Sequence, residues 1–252
     1  MEVIWLASYP KSGNTFMRML LHSYLYGVSA DSNQISRDIP DIHQFKSPNQ
    51  AFDGADKKRV LVKTHFCLSA QHPYATSTAG CIYIMRDPRD VLLSNARYLG
   101  ADKDSDTFRA FATSFIENLG VTRWRQMNMG SWPEHISSWL FSVNKLPLIF
   151  VKYSDLRNDT ANTLRQVVQF LGEEIDESRI QSAVARCALE QAREFEINEK
   201  KSGRRSLYVD LPNNELFIGA GKIGQSLNHI GNDIEELYNK NFGSFIRIFG
   251  YS

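Results

Sequence analysis

The chain opens with Val3-Ile4-Trp5-Leu6-Ala7, Ser8-Tyr9-Pro10-Lys11-Ser12-Gly13-Asn14-Thr15 and Phe16-Met17-Arg18-Met19-Leu20-Leu21-His22-Ser23-Tyr24, an apolar strand, a polar turn and a helix in direct succession. Such a junction reads as an anion cradle. Backbone N–H groups of the turn and of the first helical residues converge on one spot, the helix dipole adds partial positive charge there, and Lys11 adds a full one. Gly13 lets the backbone approach a ligand closely. Asn14 and Thr15 are expected to cap the helix, because a short polar side chain accepts from an orphan N–H. Met17, Leu20, Leu21, Tyr24 and Leu25 recur at helical spacing and predict the face buried against a sheet. Taken alone, the stretch is equally an ordinary strand-turn-helix with a surface lysine. It departs from the nucleotide-kinase loop G-x-x-x-x-G-K-[ST], since Lys11 precedes Gly13 and the first glycine is missing. That favours a phosphate or sulfate held without a metal.

Outward from this junction, strands and helices alternate. Residues 27–59 carry little periodicity and read as loop and short helix. Val60-Leu61-Val62-Lys63 is a short strand ending in Thr64-His65, and Cys81-Ile82-Tyr83-Ile84-Met85 is another, ending in Arg86-Asp87-Pro88-Arg89-Asp90. Pro88 suits the start of a helix, where an N–H is unpaired anyway, and Ser94 falls near that helix's middle. Phe108, Phe111, Ala112 and Phe115 stripe a helix over 105–118; Ser131-Trp132-Pro133-Glu134 has the form of a capping box. Leu148-Ile149-Phe150-Val151 is the next strand, ending in Lys152-Tyr153, and Leu164, Val167, Val168 and Leu171 mark a helix stopped by Gly172. A helical stretch from Ile175 to about Glu199 precedes the basic run Lys200 to Ser206, read as a solvated loop or a lid. Gly219-Ala220-Gly221-Lys222-Ile223-Gly224-Gln225-Ser226 is glycine-rich without a strand before it, and a last helix is expected over 232–241. Alternation of this kind means parallel βαβ units in an α/β fold, whose ligands sit at the carboxyl ends of strands. Lys11, His65, Arg86 and Tyr153 all lie just past such ends.

Composition narrows the partners. At 252 residues and 42% hydrophobic, the chain suits one α/β domain over 1–252. A net charge of +1 gives no global basic field, which sets nucleic acid aside. Cys67, Cys81 and Cys187 lack metal-type spacing and read as free packing thiols of a reducing compartment. No run approaches a membrane span and no signal peptide is recognisable, so a soluble cytoplasmic protein is expected.

The cradle, the Lys63-Thr64-His65 strand end, Arg86 with Ser94, and the late glycine-lysine loop converge on one mouth of a parallel sheet. Two cationic sites a nucleoside apart would suit a nucleotide phosphorylated at both ends. In this order and spacing, the chain resembles the sulfotransferases that use 3′-phosphoadenosine 5′-phosphosulfate (PAPS). Tyr9 to Phe16 is similar to that family's 5′-phosphosulfate loop, and Tyr83 to Ser94 to its 3′-phosphate motif. Trp5 to Pro10, Gly130 to Pro133 and Gln225-Ser226-Leu227 look most like the bacterial enzymes that sulfate glycopeptide antibiotics. The resemblance implies a P-loop-like three-layer α/β/α fold around a parallel sheet of about five strands. It also implies in-line sulfuryl transfer to a hydroxyl without a metal, with His65 as general base, Lys11 on the oxygen bridging sulfur and the 5′-phosphate, and Lys63 assisting. Ser12, Gly13, Asn14, Thr15 and Phe16 would hold the 5′ end of the donor, Arg86 and Ser94 its 3′-phosphate, Tyr153 its adenine, and Gly221 and Lys222 would close the late loop.

The pattern is not matched everywhere. Gly219-Ala220-Gly221 stands where the family commonly has arginine, lysine and glycine, Ser226 replaces a tryptophan, Cys187 a threonine, and Phe16 another tryptophan. Lys222 is expected to supply the missing charge. A dimerisation segment is not recognisable, which leaves a homodimer open. The rivals are a P-loop phosphotransferase using ATP, which should carry lysine before Ser/Thr and an acidic strand end for magnesium, and a non-catalytic nucleotide-binding module. A small hydroxylated acceptor is expected, with specificity in 31–58, 119–130 and 200–218. Trp124, Trp132, Trp139 and Phe66 would line its pocket or fill the core.

Overall fold

The computed structural model describes residues 1–28, 31–45, 58–142, 146–204 and 207–251. Its elements are β1 (Glu2–Ser8), α1 (Asn14–Tyr26), α2 (Ser32–Asp38), β2 (Arg59–Thr64), β3 (Thr78–Met85), α3 (Pro88–Leu99), α4 (Ser105–Glu117), α5 (Thr122–Gln126), α6 (Trp132–Leu140), β4 (Leu148–Lys152), α7 (Tyr153–Asn158), α8 (Thr160–Phe170), α9 (Glu177–Arg186), α10 (Leu189–Lys201) and α11 (Asn232–Ile248). Among the described residues the sheet has four strands, all parallel, in the order β2-β1-β3-β4. The expected count of about five is corrected here. After Lys152 the chain runs mainly into helices, and the apolar Leu207-Tyr208-Val209 packs without a strand partner and is soon followed by Pro212.

Side chains of β1 alternate between two cores, as a strand's period of two requires. Val3, Trp5 and Ala7 join Phe115, Trp132, Trp139 and Phe242 from α4, α6 and α11 on one face. Ile4 and Leu6 join Met17, Leu20, Leu164, Val167 and Ile180 from α1, α8 and α9 on the other. The result is three layers with β1 buried on both sides. Register then decides the function: Ala7 lies opposite Thr64 on one side and Tyr83 on the other, and Met85 lies opposite Lys152. All four carboxyl ends therefore share one rim. Because β2 and β3 flank β1 on opposite sides, the chain leaves β1 and β3 in opposite directions, which opens a crevice at that switch point.

Local chemistry departs from expectation in three places. Asn14 does not cap α1; Gly13 occupies the N-cap at φ +104°, and Asn14 Nδ2 donates to Leu6 O at 2.9 Å and Ser8 Oγ at 3.2 Å. The helix expected from 175 to about 199 is broken at Cys187-Ala188 into α9 and α10. The basic run is largely tied down, with Lys200 and Lys201 inside α10, Lys200 on Glu196 and Arg204 on Glu199. Arg205 and Ser206 lie outside the described residues, as does 46–57 of the expected specificity loop. The capping box forms as read, with the Ser131 and Glu134 side chains and backbones exchanging bonds, and α11 runs past its expected end to Ile248. No described helix is long and apolar enough to cross a membrane.

Candidate active site

One cavity of about 700 Å³ opens on the rim and is bordered by Lys11, Gly13, Asn14, Thr15, Phe16, Lys63, His65, Arg86, Ser94, Tyr153, Gly221 and Lys222. The remaining predicted residue, Ser12, is fully buried behind the loop. Four strand ends about 4.8 Å apart span about 15 Å, so β2, β1, β3 and β4 present His65, Lys11, Arg86 and Tyr153 in that order across a nucleotide-sized width.

At the β2 end, His65 is fixed on three sides. Its Nδ1 lies 2.6 Å from Ser8 O, so that nitrogen carries the proton and Nε2 keeps a free lone pair. Its backbone N–H donates to His43 Nε2 at 2.8 Å, and its backbone carbonyl accepts from His135 Nε2 at 3.0 Å. Burial, reinforced by the nearby Lys63 and His43, pushes His65 well below the ordinary histidine range, so it is neutral at physiological pH. Lys63 is not a free cation: it is ion-paired with Asp41, which also receives Lys63 beside it in a parallel bridge. Burial alone would raise Asp41, but Lys63 and then Arg18 outweigh it and hold the carboxylate ionised.

At the β1 end, Lys11 sits at φ +71° with its ammonium 3.8 Å from the Phe217 ring centre and 4.3 Å from that of Tyr98. Burial first, then Arg97, Arg86 and Lys63, bring its pKa down to about 7. Behind it, Ser12 Oγ and Asn14 Oδ1 are buried without a hydrogen-bond partner among the described residues. Gly13 is required, since a Cβ there would stand 2.3 Å from the Tyr153 ring.

At the β3 end, Arg86 donates to Lys11 O at 3.0 Å and to Lys222 O at 2.8 Å, lies 4.4 Å from the Tyr153 ring centre, and leaves Nε buried and unbonded. Its pairing with Asp90 is a distant one, at 3.9 Å. Asp90 is instead the anchor of the late loop, accepting from Gly224 N, Gln225 N and Gln225 Nε2, each at 3.1 Å. Trp132 and Trp139 are fully buried and belong to the core, whereas Trp124 borders the cavity with its Nε1 on Asn95.

Further arginines and a tyrosine that sequence reasoning missed border the cavity. Arg97 and Tyr98 follow Ser94 at i+3 and i+4 on α3, and Arg157 follows Tyr153 at i+4 on α7, so helical spacing from a recognised residue could have found each. Arg97 also fills the space beside Gly219, with Nη1 3.2 Å from where a Cβ would stand. His43 and Phe217 carried no signal.

The unbonded Ser12 hydroxyl, the left-handed Lys11 and the surrounding guanidinium groups fit an anionic nucleotide. The sulfotransferase domain family matches residues 2–248. Rat sulfotransferase 1C2 is 23% identical over 256 residues, covering 94% of this chain and 82% of its own length. Mouse sulfotransferase SULT7A1 complexed with PAP superposes with a TM-score of 0.66 at 19% identity, covering 99% of this chain and 88% of that one. Retinol dehydratase in complex with retinol and PAP superposes with a TM-score of 0.64 at 18% identity, covering 95% and 81%. Fold, site and the match over nearly the whole length agree: the chain belongs to the sulfotransferase domain family.

Proposed function

We propose that this sulfotransferase moves a sulfuryl group from PAPS to a hydroxyl of a small-molecule acceptor, and that it works in the cytoplasm. The observation that carries the reading is the order of groups along one rim, a neutral histidine on β2, a cation on β1 and a forked donor on β3. The donor supplies the activated sulfuryl group. His65 Nε2 is the atom that accepts the acceptor's hydroxyl proton, and Ser8 O holds the ring in the tautomer that leaves Nε2 free. Lys11 stabilises charge on the bridging oxygen. The loop's N–H groups, with Ser12, Gly13, Asn14 and Thr15, hold the 5′-phosphate as a preorganised cradle. Arg86 and Ser94 read the 3′-phosphate, while Phe16 and Tyr153 border the adenine and Gly221 and Lys222 the late loop. Lys63 serves mainly to fasten Asp41 beside the base, because its charge is already taken.

The acceptor enters from the side of His65. Asn128 O accepts from Cys67 N at 3.0 Å, which brings Met127 and Met129 near the segment after His65, and both border the cavity with Trp124. That wall suits an acceptor with an apolar body. The likeness to glycopeptide-sulfating bacterial enzymes rests on three short stretches, whereas the rat and mouse sulfotransferases match over nearly the whole chain.

Thermal stabilisation by 3′-phosphoadenosine 5′-phosphate tests the reading, compared with AMP and with ATP plus magnesium at equal concentration. A ligand at 100 times its Kd adds about 2.7 kcal/mol to the folded state, worth about 5–10 °C in a chain of this size. A shift of that order for the doubly phosphorylated nucleotide without metal is the expected result. A shift only for ATP with magnesium would replace this reading with a phosphotransferase.

A further inference from the structure

We propose that Arg157 is a further donor-binding residue, a second guanidinium for the phosphate at the ribose 3′ position, standing beside Arg86; this rests on the donor assignment above. The late loop is where both arginines meet. Arg86 donates to Lys222 O at 2.8 Å, and the Arg157 guanidinium lies 3.2–3.3 Å from the point where a Cβ would stand on the preceding residue, Gly221. Gly221, at φ +62°, therefore does two things: it makes the turn, and its missing side chain leaves the space that Arg157 fills.

The helix that carries Arg157 ties it to the same site. Tyr153, one turn earlier on α7, has the Arg86 guanidinium over its ring at 4.4 Å, and Arg157 lies 5.4 Å from the ring centre of Phe16, the first residue after the phosphate loop. Both arginines border the cavity.

What separates Arg157 from its neighbours is the state of its charge. Arg86 is bonded to two carbonyls, Arg97 to Glu215 and two carbonyls, and Arg193 to Ile218 O. Among the described residues Arg157 has no hydrogen bond and no carboxylate within ion-pair distance. Asp90, the carboxylate that anchors the late loop, is committed to Gly224, Gln225 and Arg86. A guanidinium held against the glycine turn whose next carbonyl binds Arg86, with no counter-charge, is a site for an anion, and its planar fork matches a phosphate monoester.

The test measures Kd for 3′-phosphoadenosine 5′-phosphate and for AMP, which lacks only the 3′-phosphate, with wild type, Arg157→Ala and Arg157→Lys. Arg157 is half-buried on a short helix, and circular dichroism confirms that each variant folds. The expected result is that Arg157→Ala weakens the doubly phosphorylated nucleotide about 10- to 100-fold and AMP less than about twofold, with Arg157→Lys between wild type and Arg157→Ala. An equal loss for both nucleotides would overturn the proposal by making Arg157 a support of the loop. No loss for either would remove it from the site. Wild type with no preference between the two nucleotides would overturn the donor assignment together with this one, whereas a strong wild-type preference untouched by Arg157→Ala overturns this one alone.

Discussion

Lys11 holds a left-handed backbone that a non-glycine residue adopts at a cost of about 1–3 kcal/mol, and its ammonium lies between two aromatic rings with no carboxylate paired to it among the described residues. Burial and three neighbouring cations bring its pKa to about 7, so at neutral pH the site without donor is only partly charged at this position. An anion favours the ammonium and raises that pKa. Between the two values donor binding takes up a proton, and donor affinity must fall as pH rises above about 7, approaching tenfold per pH unit. His65 acts in the opposite direction, because burial lowers its pKa and keeps it a base well below pH 6.5. The expected profile of kcat/KM for the donor is therefore flat through pH 6.5 with a decline that begins near 7, and Lys11→Met removes the decline along with most of the affinity. Isothermal titration in two buffers of different ionisation enthalpy reads the proton directly. No proton uptake at pH 8, or an acid limb centred near 6.5, would show that these two environments have been misjudged.

The elements that hold the late loop are far apart in sequence. Arg97 on α3 grips Glu215, Leu216 O and Phe217 O, while the buried Glu196 on α10 accepts from Phe217 N and Ile218 N. Asp90 on α3 then takes Gly224 and Gln225. An irregular segment is in this way fastened by charged groups, and its geometry is only as firm as they are. Asp90→Ala removes the acceptor of three bonds beside a buried arginine and is expected to cost about 3 kcal/mol, or about 6–12 °C in melting temperature. It should also open residues 219–225 to limited proteolysis and weaken binding of 3′-phosphoadenosine 5′-phosphate; an unchanged melting temperature with an intact loop would deny Asp90 this role. The same elements mark the limit of what the sequence disclosed. Lys11, His65, Arg86 and Tyr153 were legible because each follows an apolar strand by a residue or a few, and strand ends are local signals. The loop's fastenings were not, since the Asp90 to Gln225 and Glu196 to Phe217 bonds join positions with no shared pattern. The role of Asn14 is hidden for a related reason: Leu6 O and Ser8 Oγ compete for its side chain once the strand is folded back against the helix.

At the scale of the whole molecule, the sheet and the site differ in how they are held. β1 and β3 lie between two apolar cores, with Val3, Trp5, Leu6, Cys81, Ile82, Tyr83 and Ile84 fully buried, whereas the cavity's outer wall is built from α10, residues 207–225 and the ends of α3 and α7. Local stability follows packing, so the central strands should open only with the whole protein while the outer wall opens on its own. A donor nucleotide touching both the β1 loop and the late loop would then act as a tie between a rigid floor and a looser wall. Hydrogen exchange within the first minutes of labelling measures this difference. Saturating 3′-phosphoadenosine 5′-phosphate is expected to slow exchange in 215–225, in the first turn of α1 and in α7, and to leave β1 and β3 unchanged because they are already protected on that timescale. Protection confined to the phosphate loop would mean that the late loop takes no part in holding the donor, and Arg157 and Lys222 would lose their place beside it. Protection of 215–225 that disappears in Asp90→Ala but persists at the phosphate loop would assign the tie to the fastenings of the late loop, as the arrangement of the four strand ends beneath it requires.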